Sequence, residues 1–275
     1  MIGAIVGDIA GSRFEFCNLK SKEFVLLAAG NEAEWGPPSS FTDDTVMTLA
    51  VAQAILDWRA NGAGDLADLS VAAVSRMQEF GRRYPRAGYG GAFRRWLEAS
   101  RPHPYNSWGN GAAMRVSACG WAGRTLDEVK AMSRAVTEVT HDHPEGIKGA
   151  EATAVCVFLA RQGKSKDEIK AYVREHYYSL DFTLDEIRPS YDFDVSCQGS
   201  VPQALESFFE STSFEDAIRN AISIGGDSDT IGAITGSIAG AYYGVPEDIR
   251  DKALSHLDDF QRETISEFEA LWPEK

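Results

Sequence analysis

The chain has 275 residues, enough for one large domain or two small ones and for a sizeable core without covalent staples. Hydrophobic residues make up 44% and charged residues 25%, and no uninterrupted apolar run approaches the ~20 residues of a membrane span. Disorder, collagen, coiled coil and membrane protein are thereby excluded. With 41 acidic against 27 basic residues the net charge is −14, which weighs against a sequence-independent nucleic-acid binder. An anionic ligand would have to be held locally, by metals or helix ends.

Apolar periodicity predicts helices almost throughout. In residues 1–11, Ile2, Ile5, Val6 and Ile9 fall at helical spacing. Residues 45–58 are apolar nearly all round, the pattern of a fully buried helix. Leu66, Leu69, Ala73, Met77 and Phe80 form one stripe, and Leu126, Val129, Met132, Val136 and Val139 form another. Residues 145–161 are helical in pattern and begin just after Pro144. Three further helices start on capping boxes: Ser165-Lys-Asp-Glu168, Thr183-Leu-Asp-Glu186 and Ser213-Phe-Glu-Asp216, the last with Asp in place of Glu. Val245-Pro246 opens a helix towards Leu257, and residues 260–271 close the chain. Only Tyr191, Phe193, Val195 and Cys197 alternate with polar residues, allowing one short extended segment. The expected fold is all-α, a single compact orthogonal domain of about a dozen helices spanning residues 1–275.

Two glycine registers refine this picture. Gly3, Gly7 and Gly11 recur every four residues, as do Gly232, Gly236, Gly240 and Gly244. A glycine inside a helix costs about 1 kcal/mol against alanine, so a whole stripe implies that neighbouring helices approach closely there. The four cysteines, Cys17, Cys119, Cys156 and Cys197, form no C-x-x-C pair and read as reduced core thiols of a cytoplasmic protein. The N-terminus does not read as a signal peptide, because it lacks a basic start and Asp8 interrupts its apolar stretch.

The chemistry gathers in two acidic clusters. Phe41-Thr42-Asp43-Asp44-Thr45 precedes the buried helix, and Gly225-Gly226-Asp227-Ser228-Asp229-Thr230 precedes the second glycine-striped helix. One such cluster alone reads as N-capping. The pair does not, because a cap needs one oxygen and here four acids stand at the mouths of two apolar helices. Acids forced into a partly dry site need compensation, commonly by a divalent cation. With hard oxygen donors and no interleaved Cys or His, the set selects Mg²⁺, Mn²⁺ or Ca²⁺ over Zn²⁺. Four carboxylates suit two cations bridged by a shared acid.

Five motifs in order, Gly7-Asp-Ile-Ala-Gly-Ser-Arg-Phe-Glu15, Phe41-Thr-Asp-Asp-Thr45, Trp108-Gly-Asn-Gly-Ala-Ala-Met-Arg115, Thr140-His-Asp-His-Pro144 and Gly225-Gly-Asp-Ser-Asp-Thr230, resemble the ADP-ribosylglycohydrolase family. The resemblance implies an all-α fold, a centre of two Mg²⁺ (or Mn²⁺), and hydrolysis of the bond between an acceptor and the distal ribose of ADP-ribose. It implies Thr42, Asp43 and Asp44 as one set of metal ligands and Asp227, Asp229 and Thr230 as the other. Glu15 matches an acid near the metals; without the resemblance it reads as a solvated carboxylate in a turn. Asn110, Gly111, Ala112 and Met114 match the substrate loop, with alanine at 112 where related sequences often have serine. Physically, Gly109 and Gly111 let backbone approach a ligand, and amides at a following helix start can face a pyrophosphate. Arg115 is a candidate for a structural ion pair. His141 is assigned to substrate, and His143 to hydrogen bonding within the chain. Among the aromatics flanking the loop, Tyr89, Tyr105 and Trp108, Tyr105 is the candidate for stacking on adenine.

The mechanism implied is templating of the ribose and positioning of a water by two metals, with Glu15, Asp43 and Asp44 as candidates to stabilise the anomeric cation and take the water proton. The expected partner is an ADP-ribosylated protein or a small ADP-ribose conjugate, met by a monomer, without membrane. Arginine and serine are both possible acceptors. A hydrolase of a free ADP-ribose derivative or of a nucleic-acid-base adduct, and a non-catalytic ADP-ribose-binding protein, are the competing readings. Six intact ligand positions argue against the last.

Overall fold

In the computed structural model, which describes residues 1–32 and 37–273, each apolar periodicity read from the sequence closes into a helix. The described residues form fourteen α-helices. The first seven are α1 (Ile2–Gly11), α2 (Asp43–Ala60), α3 (Leu66–Arg83), α4 (Gly91–Glu98), α5 (Ser117–Ala122), α6 (Leu126–Thr137) and α7 (Pro144–Arg161). After them come α8 (Lys166–His176), α9 (Leu184–Ile187), α10 (Cys197–Phe209), α11 (Phe214–Ser223), α12 (Ser228–Tyr243), α13 (Glu247–Leu254) and α14 (Asp259–Leu271). The all-α expectation holds.

The capping signals carry through, with one change. Ser165 and Thr183 complete reciprocal boxes with Glu168 and Glu186. Ser213 accepts from the Asp216 amide, but the Asp216 carboxylate reaches back to Thr212 N at 2.8 Å instead of Ser213, so the third box is only half formed. Asp258 and Gln261 form a box that sequence reading passed over. The alternation in residues 191–197 makes no strand. It yields one antiparallel bridge, Gly109 to Ser196, with Asn110 N donating to Val195 O and Cys197 N to Trp108 O. A lone bridge with no further partner cannot propagate a ladder, and Cys197 already begins α10. That helix went unread, with Pro202 inside it as the misleading signal. Cys119, Cys156 and Cys197 are buried as expected, whereas Cys17 is exposed on the turn after α1.

The glycine registers face each other. α1 and α12 run antiparallel in the core, with every residue of α1 and all of residues 228–241 in α12 buried. A methyl on Gly232 would lie 2.5 Å from Gly7 O, and one on Gly11 would lie 2.6 Å from the Asp229 Cα. Backbones this close tolerate no side chain between them. α7, apolar all round, packs against α5, α6, α10 and α12 at the centre of the bundle, and α2 bridges α1, α3 and α14.

Candidate metal centre

The antiparallel glycine contact decides where the acids go. It sets the end of α1 beside the start of α12, so Glu15, four residues past Gly11, comes to Asp227 and Asp229. Gly225 and Gly226, at φ +73° and +74°, make the turn into α12, and left-handed backbone at two successive positions suits only residues without a Cβ. α2 enters from the other side, with Thr42 capping it through Asp44 N and Asp43 N bonded to Ala87 O.

The two clusters therefore converge. Carboxylate oxygens of Asp8, Asp44 and Asp229 lie within 4.8 Å of one another, and so do those of Glu15, Asp227 and Asp229. Thr230 Oγ1 stands 3.3 Å from Asp44 Oδ2. Sequence reading missed Asp8, which stands alone in α1 as a carboxylate among apolar and small residues. It is fully buried and accepts from Thr42 N (2.9 Å), Thr42 Oγ1 (2.7 Å), Thr45 N (3.0 Å) and Thr45 Oγ1 (2.5 Å).

Packed acids without a counter-charge hold their protons. Burial first, then Asp229 and Asp8, push Glu15 up to about 8 and Asp43 up to about 8. Burial pushes Asp227 up to about 6, and it drives Asp44 and Asp229 well above the usual carboxylate range, with neighbouring acids adding to the rise. Asp44 Oδ1 is buried with no hydrogen-bond partner, and a buried acceptor left empty is costly. A hard divalent cation satisfies that oxygen and removes the repulsion together, so the residues present fit such an ion.

The acids open on a cavity of about 460 Å³. It is lined by Glu15, Asp43, Asp44, Asp227, Asp229 and Thr230 on one side and by Tyr105, Asn110, Gly111, Met114, Arg115 and His141 on the other. Thr42 is not among the lining residues, although its hydroxyl lies 3.4 Å from Asp44 Oδ2. Asn110 spends its amide on Asp227 Oδ2 (2.6 Å) and Ser200 Oγ (3.1 Å), so it braces a carboxylate as well as lining the cavity. Ala112 is fully buried and does not line the cavity, because the 3₁₀ turn Asn110–Ala112 points it into the core. Tyr105 stands 5.9 Å from the His141 ring, Tyr89 is buried outside the cavity, and the exposed Trp108 packs edge-on against His143. His143 caps α7 through the Glu145 amide. Arg115 makes no ion pair among the described residues; its guanidinium is buried on Thr140. Phe16 and Phe193, rings 5.9 Å apart and both exposed, form a rim that the sequence did not announce.

The chain is 29% identical over 315 residues to ADP-ribosylhydrolase ARH3 of Mus musculus, covering 90% of this chain and 83% of that one. It is 29% identical over 295 residues to the ADP-ribosyl-[dinitrogen reductase] glycohydrolase of Rhodospirillum rubrum, covering 98% and 93%. A solved structure described as an ADP-ribosylglycohydrolase-related protein complex superimposes with TM-score 0.70 at 25% identity, over 98% of this chain and 96% of that one. The ADP-ribosylglycohydrolase family model matches residues 1–274, and the chain belongs to that family.

Proposed function

We propose that this chain hydrolyses the glycosidic bond between the distal ribose of ADP-ribose and an acceptor side chain such as arginine or serine, using two Mg²⁺ or Mn²⁺ ions. Family membership supports ADP-ribosyl hydrolysis in general. The observation that carries the finer reading is the meeting of both acid clusters around the partnerless Asp44 Oδ1.

Thr42, Asp43, Asp44, Asp227, Asp229 and Thr230 would hold the ions. Bound there, the ions would supply Lewis-acid chelation of ribose hydroxyls and activation of a water. The chain's own residues do the rest. Glu15 is half-buried on the cavity wall beside Asp227 and Asp229, where it can accept a proton from the attacking water. Asp43 and Asp44 supply negative charge facing the positive charge that develops at the anomeric carbon. His141, Gly111, Met114 and Tyr105 line the opposite wall and contact the rest of the ADP-ribose, while Asn110 fixes Asp227. This wall is built from the 3₁₀ turn Asn110–Ala112 and the segments beside it, between α4 and α5 and between α6 and α7. Among the described residues no helix is long and apolar enough to cross a membrane.

The test is release of free ADP-ribose from arginine-, serine- and base-linked substrates, with and without chelator. Release from the first or second that stops on chelation supports the proposal. Release from the base-linked substrate alone shifts it to the nucleic-acid adduct. Full turnover after exhaustive chelation, or binding without release, overturns it.

A further inference from the structure

Arg115 is an anomaly of this fold. It is 1% exposed and makes no ion pair among the described residues; Asp43 acts on its charge only through space and the Phe93 ring lies 5.6 Å from its guanidinium carbon, and yet it lines the cavity. Burying a cation without a direct ion pair is costly, so the position asks for a reason. Burial lowers its guanidinium only to about 10, which leaves the side chain charged near neutrality.

Its partners supply the reason. Arg115 Nη2 donates to Thr140 Oγ1 at 2.6 Å. Thr140 Oγ1 lies 2.7 Å from His141 Nδ1 and 3.3 Å from Thr137 O. A guanidinium has only donors and a hydroxyl has a single proton. The Thr140 proton has two places to go, Thr137 O at 3.3 Å or His141 Nδ1 at 2.7 Å; the second is the shorter contact, and the first would leave an Nδ1–H pointing at the Arg115 donor. Arg115 Nη2 is itself 3.5 Å from the same nitrogen, a second donor group facing it. Nδ1 is therefore the acceptor of the ring, and the imidazole proton sits on Nε2. Nε2 faces the glycine loop: a methyl on Gly109 would lie 3.4 Å from it and one on Gly111 3.6 Å. It has no partner among the described residues, and the ring, 5% exposed, lines the cavity.

We infer that Arg115 is a positioning residue that acts through Thr140 to hold His141 as the neutral Nε2–H tautomer, giving the cavity one fixed, uncharged hydrogen-bond donor. Such a donor selects an oxygen acceptor on the ligand, a phosphate or hydroxyl oxygen, and rejects a group that can only donate. Burial and the Arg115 charge both hold the imidazole well below its usual protonation range, consistent with a neutral ring. The ligand part of this inference rests on reading the cavity as an ADP-ribose site; the tautomer does not.

The test uses the full chain carrying ¹⁵N-labelled histidine, with the His141 ring assigned by its loss in His141→Gln. The wild-type ring should show a single Nε2-protonated tautomer at neutral pH. Thr140→Val, which keeps the shape and removes the hydroxyl, should give a mixture of tautomers, and Thr140→Ser should restore the single form. Arg115→Met should also give the mixture; if that variant does not fold, the Thr140 pair decides alone. ADP-ribose titrated calorimetrically should bind Thr140→Val about three- to tenfold more weakly than Thr140→Ser, the effect of one misdirected hydrogen bond. A wild-type Nδ1–H ring, or a Thr140→Val ring unchanged from wild type, overturns the relay. A mixed tautomer with unchanged ADP-ribose affinity overturns its role towards ligand. Failure of the wild type to bind ADP-ribose overturns the reading of the cavity, and the tautomer still judges the relay.

Discussion

Asp8→Asn should change the chain in opposite senses with and without cation. Asp8 Oδ2 accepts three donors, from Thr42 N, Thr45 N and Thr45 Oγ1, while Oδ1 accepts only from Thr42 Oγ1. An asparagine keeps its oxygen at the three-donor end and turns its amide to Thr42. The Thr42 hydroxyl can no longer donate there and must swing towards Asp44 Oδ2, 3.4 Å away. In the wild type the Thr42 hydroxyl gives its proton to Asp8 Oδ1 and accepts the Asp44 amide at 3.2 Å, which leaves Thr42 Oγ1 one lone pair; in the variant that lone pair is lost to the new amide. Without metal the change removes a buried charge, already driven towards protonation by burial, so stability should hold or rise. With metal, loss of an orienting partner typically costs 10- to 100-fold in affinity. At fixed saturating Mn²⁺ that subtracts roughly 1.4–2.7 kcal/mol from the stabilisation by binding, or about 3–10 °C of melting temperature. Thermal melts of both proteins, in chelator and in Mn²⁺, with a calorimetric titration, measure it. An equal loss in chelator would make Asp8 a structural clamp alone, and an unchanged Mn²⁺ increment would refute the lone-pair argument.

Three further outcomes are expected. Asp229→Ala should lose activity and metal together while far-UV helicity persists, since the rest of α12 is apolar enough to pack; two ions bound normally would remove Asp229 from the ligand set. Gly232→Ala pushes a methyl against Gly7 O and should cost about 1–3 kcal/mol despite alanine's better helix propensity, lowering the melting temperature and the metal affinity in step; a neutral melt would mean that the two helices can separate freely. Glu15 and Asp43, both raised to about 8 in the fold, make the chelated native state bind more protons than the unfolded chain between pH 4 and 8. Their contribution is full below the ordinary carboxylate range and is lost as pH rises through 8, while bound cation replaces the protons. The stabilisation added by Mg²⁺ should therefore grow from pH 6 to pH 8, and an increment that shrinks over that range would contradict the acid packing described above.

The sequence by itself determined the local structure. Helical periodicity, the Ser165 and Thr183 boxes and the Thr42 cap are read over four or five neighbouring residues, where backbone geometry fixes what can touch. The two acid clusters were legible too, because each stands at a helix start and hard oxygens in such number have few other uses. The expected extended segment failed because alternation alone cannot supply a partner strand, and α10 escaped because Pro202 reads as a break.

Tertiary structure alone decided which oxygens share a site. The facing glycines of α1 and α12 brought Glu15 to Asp229, and the packing of α1 against the start of α2 made Asp8, a lone charge in an apolar helix, the acceptor of four hydrogen bonds from Thr42 and Thr45. Arg115 looked like an ion-pair residue and found a hydroxyl, and Phe16 and Phe193 met across 177 positions at the cavity rim. The physical reason is common to all of them. Periodicity records which face of a helix is buried, whereas the partner across that face depends on how helices distant in the chain cross, and no local pattern carries that angle.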